Sequence, residues 1–289
     1  MTGKAEALSH GAATIVNAIA TGKGGAVGVD LWTRAKVQLT DKPGTIEGNI
    51  VSDPTEDPVL IEKTVGKVFE YFNLKEVGAK VRTSSNIPIA RGLKSSSVAG
   101  NAIALATVAA LDRSLDDLTV LNLGVEAAIE AKVTITGAFD DACASYFGGV
   151  VVTDNLKRRI VKRFEITEDL TVLFYVPAKK VYTSGSDVQR MRGVASLVGI
   201  AYKEAVKGDY WSALTLNGLI YSSALGYNPS IAVDALMAGA VAAGLSGTGP
   251  AVTAIVPEEK IDNVRDAWQT YEGDIIQARV NHEKAKVVG

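Results

Sequence analysis

Cysteine and histidine are scarce in this chain of 289 residues, which contains one cysteine, Cys143, and two histidines, His10 and His282. One cysteine cannot form a disulfide within the chain, and three such residues are too few for a typical four-ligand zinc site. A chain without disulfides is typical of a reducing compartment. We therefore expect the protein to work in the cytoplasm.

An excess of charge of either sign is also absent. Thirty lysines and arginines face 32 aspartates and glutamates, which gives a formal net charge of -2. The chain therefore lacks the overall positive field that holds nucleic acid or an anionic membrane. We expect small molecules as its partners and neither nucleic acid nor membrane, and the sequence leaves the oligomeric state open.

A secretory signal is absent too, because the N-terminus has no basic segment followed by an apolar stretch and a cleavage site. Two uncharged runs, residues 95–111 and 235–256, are long enough to compare with a membrane span. Serines and Asn101 interrupt the first run, and glycines and Pro250 interrupt the second. Both runs are therefore predicted to be buried helices attached to glycine loops.

The remaining composition predicts an α+β fold. With 47% hydrophobic and 21% charged residues, the chain is typical of a globular protein, and its length fits two domains of roughly 150 residues each. Alternating patterns predict strands at residues 28–39, 79–87, 149–153, 170–176, 251–256 and 274–280. Helices are predicted at residues 58–72 and 95–111, from Ser114 as N-cap through Glu130, and within 186–243 and 258–271. The charged segment 155–163 marks the boundary, so the predicted domains are residues 1–158 and 159–289.

The sharpest motif is P-I-A-R-G-L-K-S-S-S-V-A-G, from Pro88 to Gly100, in which a glycine and three serines precede a long apolar helix. The N-terminus of a helix offers unpaired N–H groups and the positive end of its dipole to an anion. The serine hydroxyls can bind phosphate oxygens or Mg²⁺, and Lys94 adds positive charge. The plainer interpretation is that the serines only cap the helix.

Other nucleotide-binding signatures are missing. The chain has no G-x-x-x-x-G-K-[ST] motif, and neither residues 22–28 nor residues 247–250 complete G-x-G-x-x-G. A P-loop fold and a dinucleotide-binding fold are therefore disfavoured.

The serine motif resembles the P-x-x-x-G-L-G-S-S-A-A loop of the GHMP kinases, the superfamily of galacto-, homoserine, mevalonate and phosphomevalonate kinases. The matching positions are Pro88, Gly92, Leu93, Ser95 and Ser96. Lys94 stands in place of the second glycine, and Ser97-Val98 replaces the paired alanines.

Three more regions resemble this superfamily in the same order along the chain. G-A-F-D-D-A-C-A-S-Y-F-G-G at residues 137–149 is similar to the stretch in which mevalonate-kinase-like members place a catalytic aspartate, and Asp140 aligns with it. G-L-S-G-T-G-P-A at residues 244–251 is similar to the C-terminal glycine motif, and Asn17 with residues 22–28 stands in the place of the N-terminal motif. The combination of G-K-G-G, G-L-K-S-S-S and T-G-A-F-D-D is most similar to the archaeal shikimate kinases.

The resemblance implies a two-domain GHMP kinase fold, with an N-terminal domain like ribosomal protein S5 domain 2 and a ferredoxin-like C-terminal domain. It also implies ATP and Mg²⁺ as cofactors and the reaction of shikimate with ATP to give shikimate 3-phosphate and ADP. Asp140 would accept or orient the proton of the hydroxyl, although on local sequence alone it could equally cap a helix. The candidate residues for ATP are Pro88, Arg91, Gly92, Leu93, Lys94, Ser95, Ser96 and Ser97.

Mg²⁺ takes few protein ligands beside phosphate oxygens, so one serine and one glutamate suffice. We assign Ser96 and Glu130, with Ser95 and Glu126 as the open alternatives. An acidic acceptor such as shikimate needs a cation for its carboxylate. The candidate residues for the acceptor are Lys23, Asp140, Thr183, Asp187, Arg192, Gly247, Thr248 and Gly249, with Arg91 and Arg190 as further cations.

Two competing interpretations remain. Ser246 to Pro250 also resembles homoserine kinases, but the chain lacks their N-terminal Gly-Phe-Asp element. The second is a protein of another class, a catalytically silent GHMP-fold sensor that binds ATP and a metabolite. Such a sensor would be expected to lose the catalytic aspartate, which this chain retains as Asp140. These features favour an enzyme.

Overall fold

The computed structural model describes residues 3–178 and 186–289, which contain two mixed layers of strands and helices. The larger sheet has seven strands in the described residues, in the order β11-β1-β2-β4-β3, with β5 paired to β2 and β6 paired to β5. All these pairs are antiparallel except β3 with β4. Its strands are β1 (Lys4–Val16), β2 (Lys23–Thr40), β3 (Ile46–Ile50), β4 (Gly78–Ser85), β5 (Val150–Asp154), β6 (Arg159–Phe164) and β11 (Lys286–Val287).

Strand β2 is the longest element and changes character along its length. From Leu31 to Thr40 buried and more exposed residues alternate, as expected for a strand with one face on the core. Residues 24–29 are buried on both faces. This half pairs with β5 as well as β1, while the other half pairs with β4. The sheet therefore forks along β2, and the fully buried half lies beside the functional cavity described below.

Four helices belong to the first half of the chain: α1 (Val59–Tyr71), α2 (Ser95–Ala110), α3 (Asp117–Glu130) and α4 (Phe139–Phe147). Helix α2 is buried over most of its circumference, which explains why its sequence is apolar almost throughout. The predicted N-cap of α3 at Ser114 is wrong. Asp116 is the N-cap, and its carboxylate accepts a hydrogen bond from the backbone N–H of Thr119 at 3.0 Å.

The second sheet has four antiparallel strands in the described residues, in the order β10-β7-β9-β8. These strands are β7 (Leu170–Val176), β8 (Ala242–Leu245), β9 (Val252–Pro257) and β10 (Asp274–Arg279). The α-helices of this half, among the residues that the structure describes, are α5 (Val188–Gly193), α6 (Ala195–Lys207), α7 (Tyr210–Leu225), α8 (Ser230–Met237) and α9 (Ile261–Trp268).

The prediction of a buried helix attached to a glycine loop in residues 235–256 is wrong for most of the run, whereas the strand predicted at residues 251–256 is present as β9. This run contains the end of α8, then β8, a glycine loop and β9. The small residues of the run suit close strand packing, and Gly244 lies directly against Gly218 of α7. The other uncharged run is helix α2, as predicted. No helix in the described part of the chain combines the length and apolar character of a membrane span.

One hydrophobic cluster joins the two halves. It combines Val27 and Val29 of β2 with Phe174 of β7 and Leu214 and Tyr221 of α7, all fully buried or nearly so. Strand β6 begins at Arg159 and belongs to the first sheet, and β11 returns to that sheet at the end of the chain. The division into residues 1–158 and 159–289 stays a prediction.

Candidate active site

A cavity of about 250 Å³ opens between the phosphate motif, helix α4 and the C-terminal glycine loop. Its lining includes residues 92–97, Asp140, Asp141, Thr14 and Gly247-Thr248. It also includes aliphatic side chains, among them Ile50, Leu60, Ile61 and Ile89, and polar ones, among them Glu56 and Asp57. A cavity lined by both charged and apolar side chains suits a ligand that carries both phosphates and a flat base.

The phosphate motif folds as a loop that enters the N-terminus of α2. Gly92 and Lys94 both have positive φ angles, 84° and 63°, and α2 begins at Ser95. The loop is tied to the C-terminal glycine loop, because the Ser246 hydroxyl donates a hydrogen bond to the Gly92 carbonyl at 2.9 Å. The three serines line the cavity at the start of the helix, where unpaired N–H groups favour an anion.

Two adjacent carboxylates face this loop from the first turn of α4. Asp140 and Asp141 are almost completely buried. The Asn155 amide donates a hydrogen bond to Asp140 Oδ1 at 2.8 Å, and the Lys94 ammonium lies 3.3 Å from Asp141 Oδ2. The neighbouring carboxylates thus have different partners, one a neutral amide and the other a cation.

Burial and the neighbouring Asp141 carboxylate both raise the pKa of Asp140, and the Asn155 hydrogen bond and Lys94 only partly offset the rise. Burial also raises the pKa of Asp141, against the opposing effect of Lys94. A raised pKa strengthens the affinity of a carboxylate for a proton. Asp140 is therefore electrostatically suited to accept one from a substrate hydroxyl.

Two glycines make room for the charged groups. A side chain at Gly24 would collide with the Asp140 carboxylate, and one at Gly247 would collide with the Lys94 ammonium. Gly247 also has a φ of 62°, which favours glycine. The glycines at the start of β2 and in the loop between β8 and β9 therefore accommodate the charged side chains of the site, and the predicted ligand loop at residues 22–28 is largely strand.

Some predicted site residues lie in the cavity and others do not. Gly92 to Ser97, Asp140, Gly247 and Thr248 line it, and Gly249 follows directly in the same loop. Of the described residues predicted for ATP or the acceptor, those outside the lining are Lys23, Pro88, Arg91, Asp187, Arg192 and Gly249, together with the further cation Arg190.

The partners of these outlying residues explain their positions. The Lys23 ammonium lies 5.6 Å from the centre of the Tyr202 ring, and the Arg91 guanidinium donates a hydrogen bond to the Pro177 carbonyl. Asp187 caps α5, and Arg192 is exposed on that helix. Thr183 lies outside the described residues.

The predicted metal ligands are not brought together. Ser95 and Ser96 line the cavity, but the Glu130 carboxylate pairs with Lys67 of α1, and the Glu126 carboxylate pairs with Arg158 at 2.7 Å. The described residues contain no group of three or more His, Cys, Asp or Glu side chains placed to hold a metal ion. The Asp141 carboxylate lines the cavity, whereas that of Glu130, the predicted metal ligand, does not.

Thr14 and Asn155 also belong to the site, and neither was predicted from the sequence. Thr14 lines the cavity from β1, and its hydroxyl, although buried, has no hydrogen-bond partner among the described residues. Asn155 lies in the charged segment that was interpreted as a domain boundary. A signal for it was present, because Asn155 follows an apolar strand at a sharp turn, where polar side chains often serve a site.

The fold and this site define a class of protein, the GHMP kinases. The family model described as GHMP kinases N terminal domain matches residues 60–149, and the one described as GHMP kinases C terminal matches residues 231–273. A mevalonate kinase structure from Methanococcus jannaschii superposes with a TM-score of 0.76 at 18% identity, covering 97% of this chain and 99% of that one. A homoserine kinase structure from Cytophaga hutchinsonii gives 0.74 at 16% identity, covering 100% and 98%. The prediction of a two-domain GHMP kinase fold is confirmed.

Closer relatives are archaeal. The chain is 47% identical to a shikimate kinase of Methanothrix thermoacetophila over 97% of this chain and 95% of the relative. It is 46% identical to the shikimate kinase of Methanosarcina acetivorans, with 99% and 97% covered, and to that of Pyrococcus furiosus, with 92% and 95% covered. The chain therefore belongs to the GHMP kinase family, in the group of these archaeal relatives, and is a small-molecule kinase.

Proposed function

We propose that this protein is an ATP-dependent shikimate kinase, which converts shikimate and ATP to shikimate 3-phosphate and ADP on the route to chorismate and the aromatic amino acids. One observation carries the proposal: a buried carboxylate, Asp140, faces a phosphate-binding helix N-terminus across one cavity. Similarity to archaeal shikimate kinases over nearly the whole chain supports the choice of acceptor. The cytoplasm is the proposed location, since the chain has a single cysteine, which is buried.

Asp140 is the proposed proton acceptor. As the acceptor hydroxyl oxygen forms its bond to the γ-phosphorus, the bond from that phosphorus to the bridging oxygen breaks, and its electron pair leaves with ADP. The hydroxyl proton moves to Asp140. Asn155 holds the carboxylate in place, and burial keeps the competing solvent away from it.

The polyphosphate is proposed to lie at the N-terminus of α2. Backbone N–H groups and the hydroxyls of Ser95 to Ser97 can donate hydrogen bonds to phosphate oxygens there. Mg²⁺, when bound with ATP, neutralises part of the phosphate charge. The Ser96 hydroxyl would hold it from the loop, and a role for Glu130 would require its carboxylate to leave Lys67. The base is proposed to pack against the aliphatic part of the lining, Ile50, Leu60, Ile61 and Ile89.

The acceptor is proposed to lie between Asp140, Thr14 and the loop at Gly247-Thr248. Backbone N–H groups of that loop can bind hydroxyl or carboxylate oxygens. Lys23, Thr183, Asp187, Arg192 and Gly249 remain predicted acceptor residues, and Lys23 or Arg192 would reach the carboxylate only after a rearrangement of the side chains described above.

The test is ADP release by the purified protein with ATP and Mg²⁺ against shikimate, homoserine, mevalonate and galactose, with Asp140→Asn in parallel. We expect turnover with shikimate and a loss on the order of 10²-fold to 10⁴-fold in the variant. Turnover with homoserine and not with shikimate would show that the protein is a kinase whose acceptor is homoserine. Binding of ATP without turnover on any acceptor would support a sensor and overturn the proposal.

A further inference from the structure

Lys94 adopts a backbone conformation that lysine rarely takes. Its φ of 63° and ψ of 21° place it in the left-handed region, which is disfavoured for a residue with a Cβ. Its side chain is only 11% exposed, although lysine is seldom buried unless it is paired. A strained, buried lysine at the entrance to a phosphate-binding helix indicates that its ammonium has a specific partner.

That partner is Asp141, whose Oδ2 lies 3.3 Å from the Lys94 ammonium. The other oxygen, Oδ1, is buried and has no hydrogen-bond partner in the part of the chain that the structure describes. Asp141 therefore contacts Lys94 through one oxygen and leaves acceptor capacity in the cavity. Asp140, one residue earlier, is held instead by Asn155.

The ammonium reaches across the cavity. It occupies the space in which a side chain at Gly247 would lie, and the unpartnered Thr14 hydroxyl lies 3.8 Å from that same space. Lys94 thus begins in the phosphate loop and ends between α4 and the C-terminal glycine loop. The side chain of Lys94 therefore lines the same cavity as Asp140, the proposed proton acceptor.

We propose that Asp141 is a positioning residue, which holds the Lys94 ammonium where it contacts the phosphoryl group during transfer. The inference rests on the proposed function and gives a role to a carboxylate that the phosphoryl transfer described above does not use. Lys94 keeps its proton throughout, while the acceptor proton goes to Asp140 and the electron pair of the broken bond leaves with ADP. The ammonium neutralises negative charge on the oxygens of the transferred group, and a fixed cation does so without reorganisation during the reaction.

The experiment compares Asp141→Asn, Lys94→Met and the double variant. Binding of Mg²⁺ with β,γ-methylene ATP and of Mg²⁺ with ADP is measured by calorimetry, and kcat and KM are measured with shikimate. The preference for the triphosphate is the ratio of the dissociation constant for ADP to that for β,γ-methylene ATP. In both single variants this ratio is expected to fall about tenfold. Both are also expected to lose on the order of 10²-fold in kcat, the typical effect of removing one group that stabilises transition-state charge.

The double variant carries the decisive comparison. Because Asp141 acts through Lys94, the double variant is expected to be no worse than Lys94→Met, within about threefold. Losses that multiply would overturn the proposal, as would an unchanged triphosphate preference in Lys94→Met. Lys94→Arg keeps the charge and is expected to recover part of kcat.

Glu204→Gln is the matched control, since it breaks the exposed Lys207–Glu204 ion pair on α6 and should leave every parameter unchanged. If Asp141→Asn does not fold, Lys94→Met tests the same contact from the other side. If the wild-type protein does not turn over shikimate, the proposed function fails, whereas the triphosphate preference still decides whether Lys94 and Asp141 act together.

Discussion

At the scale of single residues, the site depends on two adjacent aspartates in different electrostatic environments. Asp140 faces an amide and Asp141 faces an ammonium, although both are buried side by side in the first turn of α4. Burial and mutual repulsion raise the pKa of Asp140. The same environment that prepares this carboxylate to take a proton makes its charged form costly to the fold.

The acid limb of the pH–rate profile is expected to report on Asp140. A general base works when deprotonated, so kcat/KM should fall as pH drops through its pKa, which lies above that of an ordinary aspartate. Asn155→Ala removes a hydrogen bond that lowers this pKa, so the limb should move to higher pH. Asp141→Asn removes a repulsion that raises it, so the limb should move to lower pH. Coincident profiles for the wild type and both variants would contradict Asp140 as the titrating base.

Replacing Asp140 by asparagine is expected to stabilise the protein although it lowers turnover. Because its pKa is higher in the folded than in the unfolded chain, ionisation of Asp140 destabilises the fold as pH rises through the folded pKa. Asp140→Asn removes this effect at neutral pH. In thermal unfolding at pH 7.5, we expect Asp140→Asn to raise Tm by roughly 2–4 °C for each kcal/mol by which it increases the free energy of unfolding.

The control for that measurement is Asp274→Asn, at an exposed position at the start of β10. It should leave Tm nearly unchanged, as surface substitutions usually do. A lower Tm for Asp140→Asn than for the wild type would show that the carboxylate stabilises the fold instead.

At the scale of secondary structure, the site is assembled from element ends: the ends of β1 and β5, the starts of β2, α2 and α4, and the loop between β8 and β9. Helix starts bring N–H donors to the cavity, and strand ends bring polar side chains. The start of α2 after the serine motif could be predicted, because its signal lies within a dozen residues of sequence. Helix α4 is not among the predicted helices, and Asp140 stands out only through the resemblance of residues 137–149 to the GHMP kinases. The contribution of β1 to the site could not be predicted, since Thr14 carries no local signal beyond being a polar residue in an apolar strand.

The glycine-rich start of β2 gives a test at this scale. A side chain at Gly24 would collide with the Asp140 carboxylate, so Gly24→Ala should displace the proposed base and lower kcat/KM on the order of 10²-fold. Gly66 in α1 has open space around its Cβ position, so Gly66→Ala should keep full activity and raise the free energy of unfolding by up to about 1 kcal/mol. Equal activity of the two variants would mean that Gly24 is not needed to accommodate Asp140.

At the scale of the whole molecule, the two sheets share one hydrophobic cluster and one cavity. Residues of β2, β7 and α7 pack in the same cluster, and the phosphate loop is hydrogen bonded to the loop between β8 and β9. A ligand in the cavity would therefore contact elements of both halves. This coupling argues against halves that unfold independently.

Scanning calorimetry should accordingly show one unfolding transition for the free protein, and Mg²⁺ with β,γ-methylene ATP should move that transition to higher temperature as a whole. A ligand concentration of 100 times the dissociation constant should raise the free energy of unfolding by about 2.7 kcal/mol. Two separate transitions, of which ligand moves only one, would contradict the shared core and would support independent domains divided near residue 158.

The sequence by itself determined the α+β character and the helix that starts after the serine motif, because each depends on residues that are close along the chain. Asp140 was singled out by the resemblance of residues 137–149 to the GHMP kinases, since its local sequence equally suits a helix cap. Only the tertiary structure decided that Lys94 pairs with Asp141, that Asn155 holds Asp140, that Thr14 enters the cavity and that Glu130 pairs with Lys67. These are contacts between distant segments, set by how β2 forks and where α4 packs against it. Side-chain partners across such distances follow from packing, which no local pattern encodes.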